Sequence, residues 1–394
     1  MKIAQRIGRI SPSATMAMKI KADELKAQGK NVLSFAVGEP DFPTPDNVIE
    51  AACRAMRAGD TKYTAASGTT QLKQAICDAT ARDIGVRYQP ANVIISNGAK
   101  HSLLNIFQAL VDAGDEVIII APYWVTYPDQ IRYSEGEPVI VETSGDNGFQ
   151  PDLDQVRDAV TPRTVAIVMN SPCNPTGAVY DRETIEGMAQ IAVEKDVALI
   201  SDEIYKHIIF DGAEHISPAS TSDEARAQTL IVDGVAKTYA MTGWRIGWFI
   251  GDEAVVRAAG RFQGQATSNP NSIAQAATIE ALSGPQDSVE QMRAEFERRR
   301  DFVVERLAEV PGVRCVRPVG AFYAFPDVSE HYGRNLGGSL VDNSDAMCEY
   351  LLATGLISCV SGSSFGADDH IRLSFACSME QLDGGLSRMA RALA

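Results

Sequence analysis

Between about residues 90 and 250 the chain alternates short apolar, mostly β-branched runs with longer amphipathic segments. Uninterrupted apolar runs suit strands buried on both faces, and amphipathic segments between them suit helices that cover a parallel sheet. Residues 91–96, 116–121, 164–169, 197–201 and 229–233 read as strands, 99–111 as a helix and 122–128 as a loop. Beyond residue 285 the pattern changes to a long charged helix over 286–309, strands over 313–317, 321–325 and 370–374, and helices over 344–354 and 379–393. The expectation is an α/β architecture with a second, smaller α+β part. The arginine run at 298–300 reads as a solvated helix face.

Composition narrows the class. The 394 residues carry 36 Lys+Arg against 51 Asp+Glu, a formal charge of −15, which argues against nucleic acid as a partner. With 45% hydrophobic and 22% charged residues the chain is of ordinary globular type. Its apolar runs are far shorter than the roughly 20 residues of a membrane span. Seven cysteines are dispersed without a CxxC pair, and five histidines show no ligand spacing. Reduced thiols, no metal site and a cytoplasmic location are expected. Met1 to Ile10 lacks the apolar run of a secretory signal.

In an open α/β sheet ligands collect at the carboxyl ends of strands, so polar clusters after the apolar runs locate candidate chemistry. Ser96-Asn97-Gly98-Ala99-Lys100 lies at a strand-to-helix junction, where small residues leave N–H groups free for a phosphate. Ser171-Pro172-Cys173-Asn174-Pro175-Thr176-Gly177 is a turn that two prolines and a glycine stiffen, either for structure alone or to hold the Asn174 amide toward a ligand. In Ser201-Asp202-Glu203-Ile204-Tyr205 an apolar strand runs into acidic residues, and Asp202 caps the next turn or does chemistry. Lys237, amid small and apolar neighbours, suits an amine nucleophile, because desolvation favours the neutral form; Arg245, eight positions on, suits an anion.

Together these spacings resemble the class I pyridoxal-phosphate-dependent aminotransferases of fold-type I, and among them the bacterial aspartate aminotransferase subgroup. The likeness runs from Pro12-Ser13-Ala14-Thr15 through Gly38-Glu39-Pro40-Asp41-Phe42 to Arg372-Leu373-Ser374, and is carried by SPCNPTGAVY at 171, SDEIY at 201 and AKTYAMTGWRIGW at 236. It implies a large domain over 46–285 with a mostly parallel seven-stranded sheet flanked by helices, and a small domain built from 1–45 and 286–394. It implies pyridoxal 5′-phosphate joined covalently to Lys237, Asp202 paired with the ring nitrogen, Tyr205 and Asn174 on the ring oxygen, and Trp124 stacked on the ring. The phosphate would be held by Gly98, Ala99, Lys100 and Arg245, with Tyr63 reaching over from the second subunit of a homodimer. Arg372 would bind the substrate α-carboxylate and Gly38 would touch substrate through its backbone. By pattern alone, Trp124 reads as core, Tyr63 as loop packing and Arg372 as a solvent-facing strand residue.

The resemblance implies amino transfer between L-aspartate or L-glutamate and a 2-oxo acid, by a ping-pong route. The arginine that animal-type relatives use for the distal carboxylate has no counterpart in the stretch 264–271; in the bacterial subgroup that role falls to Lys100 and Thr15, both present. Ala236 stands where many relatives have serine. Alternatives are prephenate or aromatic substrates, a β-lyase or synthase on the same scaffold, and a non-catalytic regulator. The last would carry a basic winged-helix segment ahead of this region, and the 394 residues show none.

Overall fold

A computed structural model describes residues 1–12 and 14–394; Ser13, part of the amino-terminal motif, lies outside the described residues. Seven strands form the central sheet: β1 (Val93–Ser96), β2 (Glu116–Ala121), β3 (Glu137–Glu142), β4 (Thr164–Asn170), β5 (Ala198–Asp202), β6 (Thr229–Gly234) and β7 (Gly247–Ile250). Their spatial order is β1-β7-β6-β5-β4-β2-β3, and every pairing is parallel except those of β7, which runs antiparallel to both β1 and β6.

The apolar runs explain the layering. In a strand successive side chains point to opposite faces, so Val117 and Ile119 pack with Leu103, Ile106 and Phe107 of the helix Ala99–Leu110, while Ile118 and Ile120 pack with Ile185, Met188 and Ala192 of the helix Arg182–Lys195. Each such isoleucine, fully withdrawn from water, contributes roughly 1.5–3 kcal/mol. Another core, which also takes in Phe149, Tyr205 and Phe210, joins the two ends of the chain: Ala22 and Phe35 pack with Leu307, Ile357, Leu373 and Leu386. Within it, Ile371–Ser374 pairs antiparallel with Val360–Ser361 and Tyr323–Ala324, and Leu33–Ser34 pairs parallel with Ile357–Ser358.

Some expectations need correction. The segment 313–317 forms no strand: among the described residues its one backbone bridge is Arg314 to Asp327, and Pro318 lacks the N–H to continue a ladder, while Val313 packs into the core and Arg317 turns to Asp211 and Asp301. The stretch 122–128 is not wholly loop, since a helix begins at Thr126 and runs to Tyr133. The arginine run is a solvated face only at Arg298: Arg299 and Arg300 are buried in the helix Asp287–Ala308, where Arg299 Nη1 and Nη2 bond Asp41 at 2.7 and 3.1 Å and Arg300 Nη1 and Nη2 bond Asp211 at 2.9 and 2.8 Å. Long-range carboxylates compensate the buried charge, which sequence spacing does not reveal. No helix among the described residues is long and apolar enough to cross a membrane.

Candidate active site

The carboxyl ends of β4, β5 and β6 open into a cavity of about 430 Å³. Thr15, Gly38, Gly98, Ala99, Lys100, Trp124, Asn174, Asp202, Tyr205, Lys237, Arg245 and Arg372 all line it. Tyr63 does not; it is 91% exposed on this chain. Arg372 is only 2% exposed, which overturns its reading as a solvent-facing strand residue.

Lys237 follows β6 on a turn, and its Nζ donates to the Gly38 carbonyl at 2.6 Å. Glycine at position 38 is required by the tyrosine packed beside it, because a Cβ there would stand 2.0 Å from Tyr323 Oη. Burial, aided by the cationic Arg372 and Arg245 against the opposing Glu39 and Asp202, draws the Lys237 ammonium down to about 8. Asp202 ends β5, is 4% exposed and accepts hydrogen bonds from Tyr127 Oη at 2.7 Å and from the Ile204 N–H at 3.3 Å. Burial pushes its carboxyl up to about 6, with those two bonds opposing. Among the described residues no cation pairs with it within salt-bridge distance.

Arg372 sits in the strand Ile371–Ser374 between the rings of Tyr323 and Phe365, 4.6 and 4.9 Å from their centroids. Nη1 donates to Asn174 Oδ1 at 2.9 Å and Nη2 to the Ala36 carbonyl at 2.6 Å, while Nε has no partner among the described residues. Among the described residues no carboxylate answers this buried guanidinium. Asn174 is itself fixed, its N–H donating to Asn170 Oδ1 at 2.8 Å, and Asn170 Nδ2 donates to the Asp202 carbonyl at 2.8 Å. Tyr205 Oη and Tyr323 Oη lie 2.8 Å apart.

At the far end Gly98 precedes the helix Ala99–Leu110 with φ of +88° and no side-chain cap, so the first helical N–H groups face the cavity unclaimed by a cap. A Cβ at Gly98 would stand 2.6 Å from Arg245 Nη2, so glycine is what lets the guanidinium close on the helix end. Lys100 Nζ lies 4.9 Å over the Trp124 ring.

The profile of the family described as Aminotransferase class I and II matches residues 30–389. The chain belongs to this family. This aminotransferase is 45% identical over 391 residues to the aspartate aminotransferase of Geobacillus stearothermophilus, with 99% of this chain and 98% of that one covered. It is 44% identical to the aspartate/prephenate aminotransferase of Thermus thermophilus, covering 99% of this chain and 98% of the relative. Among solved structures it superposes on an aspartate aminotransferase of Rhizobium meliloti with a TM-score of 0.97 at 39% identity, over 100% of this chain and 99% of that one. It matches a Thermus thermophilus aspartate aminotransferase with maleate at a TM-score of 0.94 and 43% identity, over the whole of both chains. The fold-type I architecture expected from the motifs is therefore the one this aminotransferase has. The family is generally pyridoxal-phosphate dependent.

Sequence reading overlooked Tyr127, Tyr323 and Asn170. Tyr127 lies in a stretch read as loop and Tyr323 in a run read as core strand; only their long-range partners give them a part in the site. Asn170, directly before the Ser171 motif at the end of an apolar strand, did carry a signal: a buried polar residue at a strand terminus.

Proposed function

We propose that the chain is a pyridoxal-phosphate-dependent aminotransferase acting on L-aspartate or L-glutamate and a 2-oxo acid such as 2-oxoglutarate. One observation carries this reading: a single cavity holds a buried carboxylate without a cation, Asp202, and a buried guanidinium without a carboxylate, Arg372, together with a lysine whose amine is drawn toward neutrality. A burial pattern of this kind is costly unless an external cation and an external carboxylate complete it.

These residues fit pyridoxal phosphate. Asp202 would hold the ring nitrogen, Tyr205 and Asn174 the ring oxygen, and Trp124 one ring face. The uncapped helix end at Gly98, Ala99 and Lys100 would hold the phosphate together with Arg245 and with Tyr63 from a second copy. When bound, the cofactor supplies the sink for the electron pair left when substrate Cα loses its proton. Lys237 Nζ takes that proton, and its depressed basicity suits the work near neutral pH. The Arg372 fork grips the α-carboxylate, aimed by Asn174 Oδ1, so the Cα–H bond is set before reaction. Lys100 and Thr15 would meet the distal carboxylate. Maleate, in the Thermus structure named above, is a dicarboxylate of aspartate's length, which supports the acidic-substrate reading. The names of several relatives favour prephenate as a second acceptor.

The exposed Tyr63 supports a homodimer with shared sites, and an active monomer in sedimentation would refute that arrangement. The parallel pairing of Leu33–Ser34 with Ile357–Ser358 supports division into a large part, 46–285, and a small one from 1–45 and 286–394. Seven free cysteines support a cytoplasmic location. Initial rates with aspartate and 2-oxoglutarate varied together test the reading: parallel double-reciprocal lines are expected, and converging lines or no oxaloacetate would sink it.

A further inference from the structure

Behind the cavity lies a second cluster of charges that the reaction does not use. Lys206 follows Tyr205 directly, and its Nζ lies 2.9 Å from Asp233 Oδ2 and 3.1 Å from Asp83 Oδ2, with none of the three side chains more than 9% exposed. Asp233 belongs to β6, four residues before Lys237, and its Oδ1 accepts the Gly234 N–H at 2.7 Å. Asp83 lies in the last turn of the helix Thr70–Ile84 and also meets His207 Nε2 at 3.1 Å. Burial opposes the Lys206 charge, but Asp233, Asp83 and Glu203 outweigh it, so the ammonium persists.

The location gives the cluster its meaning. The β5–β6 ladder ends at the bond from the Glu203 N–H to the Val232 carbonyl, 2.8 Å. Past that bond the strand pairing does not continue between the two segments, one carrying Tyr205 and the other Lys237. Among the described residues the Lys206–Asp233 pair is the polar link between 204–208 and 233–240. We propose that Lys206 is a positioning residue: clamped between Asp233 and Asp83, it sets from behind the spacing between the turn that bears Tyr205, just past Asp202 at the end of β5, and the turn that bears Lys237. The inference rests on the reading that those three groups act on one cofactor. A displacement of about 1 Å between such groups costs on the order of 100-fold in rate, so a tether remote from substrate can act on turnover.

The test uses cofactor-loaded protein carrying Lys206→Met, the neutral triple change Lys206→Met with Asp83→Asn and Asp233→Asn, or Lys206→Arg. Lys206→Met alone leaves two buried carboxylates uncompensated and loses stability for that reason; the triple change removes that complication. For both, kcat with aspartate is expected to fall roughly tenfold or more while KM stays within about twofold. The visible circular dichroism of the bound cofactor, which reports its orientation, should change in parallel. Lys206→Arg should recover both readouts. Wild-type kcat and dichroism in the triple variant, whatever its thermal stability, would overturn the proposal. Failure of wild-type protein to bind the cofactor or turn over aspartate would instead overturn the reading beneath it.

Discussion

Tyr127 Oη donates a 2.7 Å hydrogen bond to Asp202 Oδ2 inside the protein, and with the weaker bond from the Ile204 N–H it is what supports this carboxylate against burial. The support is incomplete, since the carboxyl is still pushed from 3.8 up to about 6. In the cofactor-free protein the folded state therefore holds its proton more tightly than the unfolded chain does. The resulting cost to stability is absent below about pH 4 and fully developed above about pH 6; it amounts to about 3 kcal/mol. Asp202→Asn should accordingly stabilise the cofactor-free protein at pH 7.5 by up to that amount, and by less at pH 4.5, in urea unfolding. The same change should weaken cofactor binding. A variant less stable than wild type at both pH values would contradict this account of the carboxylate.

Lys237 gives a prediction of opposite chemistry. With its ammonium drawn down to about 8 by burial, the neutral amine fraction rises tenfold per pH unit below 8 and saturates above it. The rate at which cofactor-free protein captures pyridoxal phosphate, followed by visible absorbance, should level off near pH 8, whereas an ordinary lysine would level off only above about pH 10. Lys237→Ala should lose the absorbance of the covalently held cofactor.

Arg372 makes two hydrogen bonds to protein, and its Nε has no partner among the described residues. Arg372→Lys retains charge but loses the planar fork. It should lower kcat/KM by roughly 100-fold for aspartate and phenylalanine alike, because both present an α-carboxylate. A loss confined to aspartate would move Arg372 to the distal end of the substrate.

Lys100 is expected to behave in the complementary way. Its ammonium lines the cavity over Trp124, so Lys100→Ala should cost aspartate about 10- to 100-fold in kcat/KM and leave phenylalanine nearly unchanged. Equal losses would place the Lys100 side chain, and not only its backbone N–H, on the phosphate and take it away from the distal carboxylate.

The strands and the loops that follow them were legible because buried parallel strands are uniformly apolar and their ends are marked by sudden polarity, as at Met169-Asn170-Ser171 and Ser201-Asp202. The edge strand Glu137–Glu142 was not, since it is only half withdrawn from water and carries Pro138, and neither was the short antiparallel strand Gly247–Ile250, whose four residues follow the Lys237 motif without a break in pattern. Nor were the groups that tune the site. Tyr127 is 75 residues from Asp202 and Tyr323 is 118 from Tyr205, and only the fold brings each pair together. The same holds for Arg299 and Arg300, whose burial depends on Asp41 and Asp211, 258 and 89 positions away.

The central claim is that this cavity moves an amino group from a dicarboxylic amino acid. It is tested most directly by adding L-aspartate, L-glutamate, L-phenylalanine or L-alanine singly to cofactor-loaded protein and recording the visible spectrum. Aspartate and glutamate should convert the lysine-bound aldehyde form to the amine form of the cofactor, with release of the matching 2-oxo acid. Conversion by phenylalanine or alanine alone, with neither acidic amino acid active, would contradict the account.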